Sequence, residues 1–285
     1  MDNADPPHAP TTPVTHLPPG SWDAHVHVLG GPEHPLSPTR VENPAPGLNF
    51  DDWLALYRGH LESLGCTRGL IVHSILYGND NTVTLDAVRE MGDGFKGVGL
   101  LPDDSQTAKI KRLADSDICA VRLNYVHGGI LTWDGACKMA PRLADHGMHI
   151  QMLLHADQHI EQIADDVRTL PTPLVIDHCG WPTDLTPDTP AIDTLCALLA
   201  EGHIWIKLSA PYRFTTAPLE ANPIMRRLID ANPDQCLWGS DWPHIMLNGV
   251  PTPHPADLLD DLAAITTAEE RQKIFKSNPD RLFCT

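Results

Sequence analysis

The sequence predicts a parallel α/β fold made of eight β/α units. Eight short apolar runs alternate with eight helical patterns along nearly the whole chain. The runs lack the polar alternation of a half-exposed strand, as expected for strands covered on both faces. A length of 285 residues suits one large core, and a (β/α)₈ TIM barrel falls naturally in that range. A doubly wound open sheet has the same alternation, so periodicity by itself leaves both architectures open.

The first run, 22–29, leads into a Pro- and Gly-rich loop, 30–50, and a helical pattern over 50–64. Runs at 69–75, 97–101 and 118–123 precede helical patterns near 81–91, 104–115 and 134–145. The next three units pair 148–154 with 157–168, 173–177 with 189–201, and 203–208 with 221–231. The last run, 236–239, is followed by a second Pro- and Gly-rich loop, 242–256, and a helix over 255–265. Loops after strands build the active face of a barrel, so these two long loops are expected to wall a pocket. Seven prolines and glycines among residues 1–20 mark an extended or disordered arm, taken as 1–18, ahead of a single domain over 19–285.

Composition narrows the function. The formal net charge of −17 argues against nucleic acid or an anionic membrane surface as the main partner. No apolar segment is long enough to span a membrane. Seven scattered cysteines without a CxxC pair resemble reduced thiols, and no secretory or transit signal stands at the N-terminus, so the cytoplasm is the expected address. The expected partner is a small molecule, with the chain a monomer or small homo-oligomer.

Polar residues interrupt the apolar runs at their C-terminal ends. His25 and His27, two apart on the first strand, project from one face. His155 closes the fifth run, His178 the sixth and Asp241 the eighth, so all five side chains would meet at one mouth. Imidazoles with a carboxylate suit zinc or a similar divalent ion, whose bound water an aspartate can deprotonate. Individually each has a structural explanation: a chance HxH, a helix cap, a local turn. His34, His60 and several other histidines are read as surface or loop groups.

Six segments resemble the amidohydrolase-2 branch of the amidohydrolase superfamily, especially its 2-pyrone-4,6-dicarboxylate lactonase group. They are Pro19–His27, Tyr77–Asn81, Val121–Asn124, Val175–Gly180, Trp238–His244 and Ser277–Leu282, and the resemblance spans roughly 19–283. It implies a (β/α)₈ TIM barrel and opening of a lactone ring, with Asp241 as the base for water. His25, His27 and His178 would polarise the carbonyl or bind a metal. Arg122 and Arg213 are the implied contacts for a substrate carboxylate, and Tyr77, His127 and His244 complete the expected substrate-binding set.

Two departures from that pattern matter. Where the dicarboxylate lactonases resemble this chain around Arg122 they carry a further basic residue, whereas here the stretch reads Tyr125-Val126-His127-Gly128-Gly129. His155 is the second departure. It suggests a metal set of His25, His27, His155 and Asp241 holding one zinc or manganese ion, with metal-independent catalysis as the alternative. The competing functions are a metal-dependent non-oxidative decarboxylase of an aromatic or muconate-type acid, and a catalytically inactive binding barrel.

Overall fold

A computed structural model describes residues 2–284. Met1 and Thr285, the outer ends of the expected arm and barrel, lie outside the described residues. Eight strands form one parallel sheet in chain order: β1 (Ser21–Val26), β2 (Cys66–Val72), β3 (Phe95–Gly99), β4 (Ile118–Asn124), β5 (His149–Leu153), β6 (Leu174–Ile176), β7 (Ile204–Ser209) and β8 (Cys236–Gly239). The ring closes just beyond β8: Asp241 N–H donates to His25 O at 2.8 Å and His27 N–H to Trp242 O at 2.8 Å. The barrel, not the open sheet, is therefore the architecture.

Helices α1 (Phe50–Leu64), α2 (Thr82–Met91), α3 (Thr107–Ala114), α4 (Trp133–Ala144), α5 (Ala156–Val167), α6 (Pro190–Ala200), α7 (Asn222–Ala231) and α8 (Pro255–Ala264) follow the eight strands in turn. Local chemistry sets their ends. Asn49 and Asp52 make a reciprocal capping box at the start of α1, and Gly65 ends that helix in the left-handed conformation (φ 74°). α3 begins later than its pattern suggests because Pro102 to Ser105 form a turn, with Ser105 N–H donating to Pro102 O at 3.1 Å. Past α8 the chain adds α9 (Ala268–Gln272), a π turn over Lys273–Ser277 and α10 (Asn278–Phe283), which the expected elements did not include.

The barrel interior has an apolar floor. Trp22 and Ala24 of β1, Leu70 and Val72 of β2, Val98, Ala120, Val175, Trp205 and Leu237 form one cluster, closed by Leu282 and Phe283 of α10. A larger cluster packs the helices against the outer faces of the strands. The N-terminal arm runs over the outside: Val14 and Thr15 N–H groups donate to Asp260, and the His8 ring stacks on His254 at 4.3 Å. Among the described residues no helix is long and apolar enough to cross a membrane.

Candidate active site

The site forms where strands give way to loops. β1 changes register between Asp23 and Val26. Asp23 turns toward α1, where its carboxylate lies 3.0 Å from His60 Nε2 and accepts from Ser240 N–H at 2.8 Å and Ser240 Oγ–H at 2.6 Å. His25 and His27 turn inward. Left-handed backbone at His178 (φ 53°), Ala210 (φ 50°) and Asp241 (φ 60°) bends the chain sharply after β6, β7 and β8. Such a conformation costs a non-glycine residue of the order of 1 kcal/mol, and strain of this kind clusters at functional sites.

Three imidazoles face one carboxylate oxygen. Asp241 Oδ1 lies 3.6 Å from His25 Nε2, 3.5 Å from His27 Nε2 and 3.9 Å from His178 Nε2. Asp241 Oδ2 accepts instead from Tyr212 Oη–H at 2.6 Å and Arg213 Nε–H at 2.7 Å. Burial by itself would raise the Asp241 carboxyl, but Arg213, with His178 and His27, outweighs it and holds the group well below the usual range. His27 Nδ1 bonds the Val72 carbonyl at 2.8 Å; a carbonyl only accepts, so the proton is on Nδ1 and Nε2 offers a lone pair. Burial lowers His27 and brings His178 down to about 4, so both rings are neutral near pH 7.

Beneath this layer lies a buried polar network that the sequence reading missed. Lys207 Nζ donates to Gln151 Oε1 at 2.7 Å and lies 3.2 Å from His25 Nδ1 and 3.4 Å from Asp177 Oδ1. Gln151 Nε2–H donates to Asp177 Oδ2 at 3.1 Å. Lys207 is wholly buried, which pulls its ammonium down to about 8 against the support of Asp177. Asp177 is held well below its usual value because Lys207 and His25 outweigh its own burial. A lone lysine inside the apolar run Ile204-Trp-Ile-Lys-Leu-Ser was the available signal.

Above Asp241 opens a small cavity lined by His27, Arg122, His127, His178, Trp181, Arg213 and Asp241 among others. It adjoins a larger outer chamber that shares Ile75, Arg122, Asn124 and His127 with it and is walled by Thr39, Arg40 and Val41. Both long loops therefore wall the pocket, the second through Ile245 and Met246. Arg122 Nη1–H donates to His73 O at 2.6 Å, while its Nε has no partner.

Several expected residues stand elsewhere. Tyr77 Oη accepts from Gly30 N–H at 2.6 Å and lines neither chamber; it holds the first long loop. His244 Nδ1 lies 3.0 Å from Tyr212 Oη, behind the residue that holds Asp241. Arg213 lines the cavity but already has Nε and Nη2 on Asp241. His155 is the residue that precedes α5, with Nδ1 3.0 Å from Trp181 O. The buried ligand atoms that lie within 4.8 Å of one another belong to His25, His178 and Asp241, so the set contains His178 and neither His27 nor His155. His25 Nε2 and Asp241 Oδ1 have no hydrogen-bond partner, as expected of atoms turned to a bound group, and these three residues can hold a divalent ion only when His25 Nε2 carries a lone pair. His34 and His60, read as surface groups, are buried.

A family model for amidohydrolases matches residues 22–284. The chain belongs to the amidohydrolase family. It is 33% identical over 287 residues to a 4-sulfomuconolactone hydrolase of Hydrogenophaga intermedia, covering 94% of this chain and 89% of that one. A 2-pyrone-4,6-dicarboxylate hydrolase of Comamonas testosteroni is 32% identical over 292 residues, covering 96% and 93%. The fold is shared with a probable 2-pyrone-4,6-dicarboxylic acid hydrolase of Acinetobacter baumannii, at TM-score 0.80 and 21% identity over 93% of this chain and 100% of that one. This amidohydrolase is thus an enzyme of a barrel type whose relatives open lactone rings.

Proposed function

We propose that this amidohydrolase opens a small lactone carrying at least one acidic group, by attack of water with Asp241 as base. The observation that carries the reading is the division of labour within one carboxylate. Tyr212 and Arg213 occupy Oδ2, whereas Oδ1 is buried, unpartnered and turned to three imidazoles at the cavity floor. The relatives named for sulfomuconolactone and pyrone dicarboxylate support the same bond as the target.

Water held at Oδ1 would form a bond from its oxygen to the lactone carbonyl carbon and pass its proton to Asp241. The carbonyl π electrons move to oxygen, where nearby N–H donors stabilise the charge. Collapse re-forms the carbonyl and breaks the ring C–O bond; the leaving oxygen takes the proton from Asp241, and the new acid ionises. Arg122 is placed to take a substrate carboxylate, and Arg40, on the outer chamber, is a second cation. With His25 in the Nδ1–H form, a zinc or manganese ion on His25, His178 and Asp241 would supply Lewis acidity toward the carbonyl. The decarboxylase reading leaned on His155 as a ligand, and its place against Trp181 removes that support. Seven free cysteines fit a reducing, cytoplasmic address.

The test is Asp241→Asn assayed on a panel of carboxylated and sulfonated lactones. A loss of roughly 10³-fold or more in kcat, with unchanged far-UV circular dichroism, is expected. Retention of more than a tenth of the turnover overturns the assignment of the base. Hydrolysis in H₂¹⁸O should place the label in the new carboxylate, whereas release of carbon dioxide without label overturns hydrolysis.

A further inference from the structure

His25 stands at the centre of the site with two chemically opposite roles open to it. A proton on Nδ1 leaves a lone pair on Nε2, able to bind a metal. A proton on Nε2 makes that atom a hydrogen-bond donor. Whatever faces Nδ1 decides between them.

Two groups face it. Lys207 Nζ is in hydrogen-bond geometry with Nδ1 at 3.2 Å. Asp177 Oδ1 is 3.3 Å from the same nitrogen, an ion-pair distance without hydrogen-bond geometry. An ammonium has three N–H donors and no acceptor. Around Lys207 two acceptors stand in hydrogen-bond geometry, Gln151 Oε1 at 2.7 Å and His25 Nδ1 at 3.2 Å, and Asp177 Oδ1 is an ion-pair partner at 3.4 Å. Gln151 completes the ring of contacts by donating from Nε2 to Asp177 Oδ2. If His25 carried its proton on Nδ1, two donors would confront each other in a fully buried space and one ammonium N–H would lose its partner. An unmade hydrogen bond of a buried charged group is among the costlier defects a fold can hold.

We propose that Lys207 is a positioning residue that fixes the tautomer of His25, placing the ring proton on Nε2 so that His25 presents an N–H to the atom bound beside Asp241. The assignment differs from that of its neighbour. His27 has its proton on Nδ1, held by Val72 O, and presents a lone pair. The two histidines of one strand, five ångströms apart by ring centroid (5.1 Å), thus offer opposite hydrogen-bonding faces to one cavity. His27 and Asp241 Oδ1 accept, as two acceptors for the hydrogens of one water would. His25 donates, as a group on the developing oxyanion would. The last step rests on the lactone-hydrolysis reading; the tautomer does not. A second consequence concerns metal. His25 belongs to the only three-residue set among the described residues whose ligand atoms converge, and in the Nε2–H form it cannot contribute a lone pair. Lys207 therefore disfavours a divalent ion at this point from below, without touching it.

The experiment is performed on the purified full-length protein, labelled with ¹⁵N in its histidine rings. Long-range ¹H–¹⁵N correlation at neutral pH reports each ring's tautomer, and the His25→Asn variant identifies the His25 signals by their loss. Nε2–H for His25 together with Nδ1–H for His27 is expected. An Nδ1–H form of His25, with or without bound metal, overturns the proposal. Because no substrate is used, failure of every lactone in the panel would leave this result standing, and the two readings fail separately. Lys207→Met should move His25 to the Nδ1–H form and raise zinc affinity, measured by competition with a chromogenic chelator, at least tenfold; unchanged affinity in a folded variant counts against the proposal. Should that variant not fold, the wild-type spectrum alone decides.

Discussion

The floor and the mouth of this barrel are built from the same strands and filled with opposite chemistry. Near their N-terminal ends the strands supply Trp22, Leu70, Trp205 and Leu237, sealed by Leu282 and Phe283. Near their C-terminal ends the same strands supply His25, Arg122, Asp177 and Lys207, all buried. β7 holds the whole gradient at alternate positions: Trp205 in the floor, Lys207 in the polar layer, and Ser209 at the mouth, where its Oγ lies 2.9 Å from His178 Nδ1. The lesson concerns energy. Apolar burial stabilises the floor, whereas buried ion pairs such as Lys207–Asp177 and Arg213–Asp241 roughly repay their own desolvation. Substitutions at the mouth should therefore strike the rate, and substitutions in the floor should strike stability.

The sharpest way to break this contrast is at Arg122. Its Nε is unpartnered and its side chain borders both chambers. Arg122→Met should lower kcat/KM for an acidic lactone by roughly 10²- to 10³-fold, since truncating one partner of a buried charge pair costs about 2–5 kcal/mol. The melting temperature should move by only a few degrees. A large loss of stability with an intact rate would erase the distinction between mouth and floor. The complementary change is Phe283→Ala. Phe283 meets Trp22 edge-on at 5.3 Å and stacks on His149 at 5.8 Å. About 3 kcal/mol of stability should be lost on urea unfolding, with kcat within twofold of wild type.

Acid tests the mouth as a group. Burial is the first cause that lowers His73 and His178 to about 4 and His244 to about 3. Each is neutral in the folded chain down to that pH, but takes a proton near 6.5 when unfolded. Their contribution is therefore complete above about 6.5 and is lost as pH falls from there toward 4. The slope is roughly 1.4 kcal/mol per pH unit for each histidine. Urea midpoints measured from pH 7.5 to 4.5 should fall steeply below 6.5, and a flat profile would show that these rings are not held neutral.

What could be read from sequence follows the same division. Strands covered on both faces appear as unbroken apolar runs, so all eight were legible, and so were the polar residues that interrupt their ends. Lys207 and Gln151 escaped because each lies inside an otherwise largely apolar run, where only the inward parity of its position marks it. His155 shares the parity of His149, Gln151 and Leu153, but β5 ends at Leu153 and α5 begins at Ala156, so the chain has already turned away. Tyr77 was placed by its motif, which says nothing of where the hydroxyl goes. His60 lies on the buried stripe of α1 with Trp53, Tyr57, Leu61 and Leu64, a helical spacing that was visible but went unused. The π turn and α10 are short, and α10 carries a proline, so neither shows the sustained apolar period that announces a helix.

The floor contains one exception to its own chemistry, and it supplies the smallest effect. His149, 1% exposed, has no hydrogen-bond partner on either ring nitrogen. Burial, with Lys207 nearby, lowers it to about 3. A polar ring in this position lacks the network that compensates the mouth residues, so its two nitrogens are desolvated without return. Leucine matches the apolar surroundings and has no polar atom to satisfy. His149→Leu should therefore raise stability by about 1 kcal/mol at pH 7 and leave kcat unchanged. Below pH 6.5 it should also remove one proton from the unfolding equilibrium, flattening the stability profile by a single histidine's share. A variant that instead loses stability at pH 7 would mean that this ring contributes to the floor through contacts that its packing on Phe283 does not reveal.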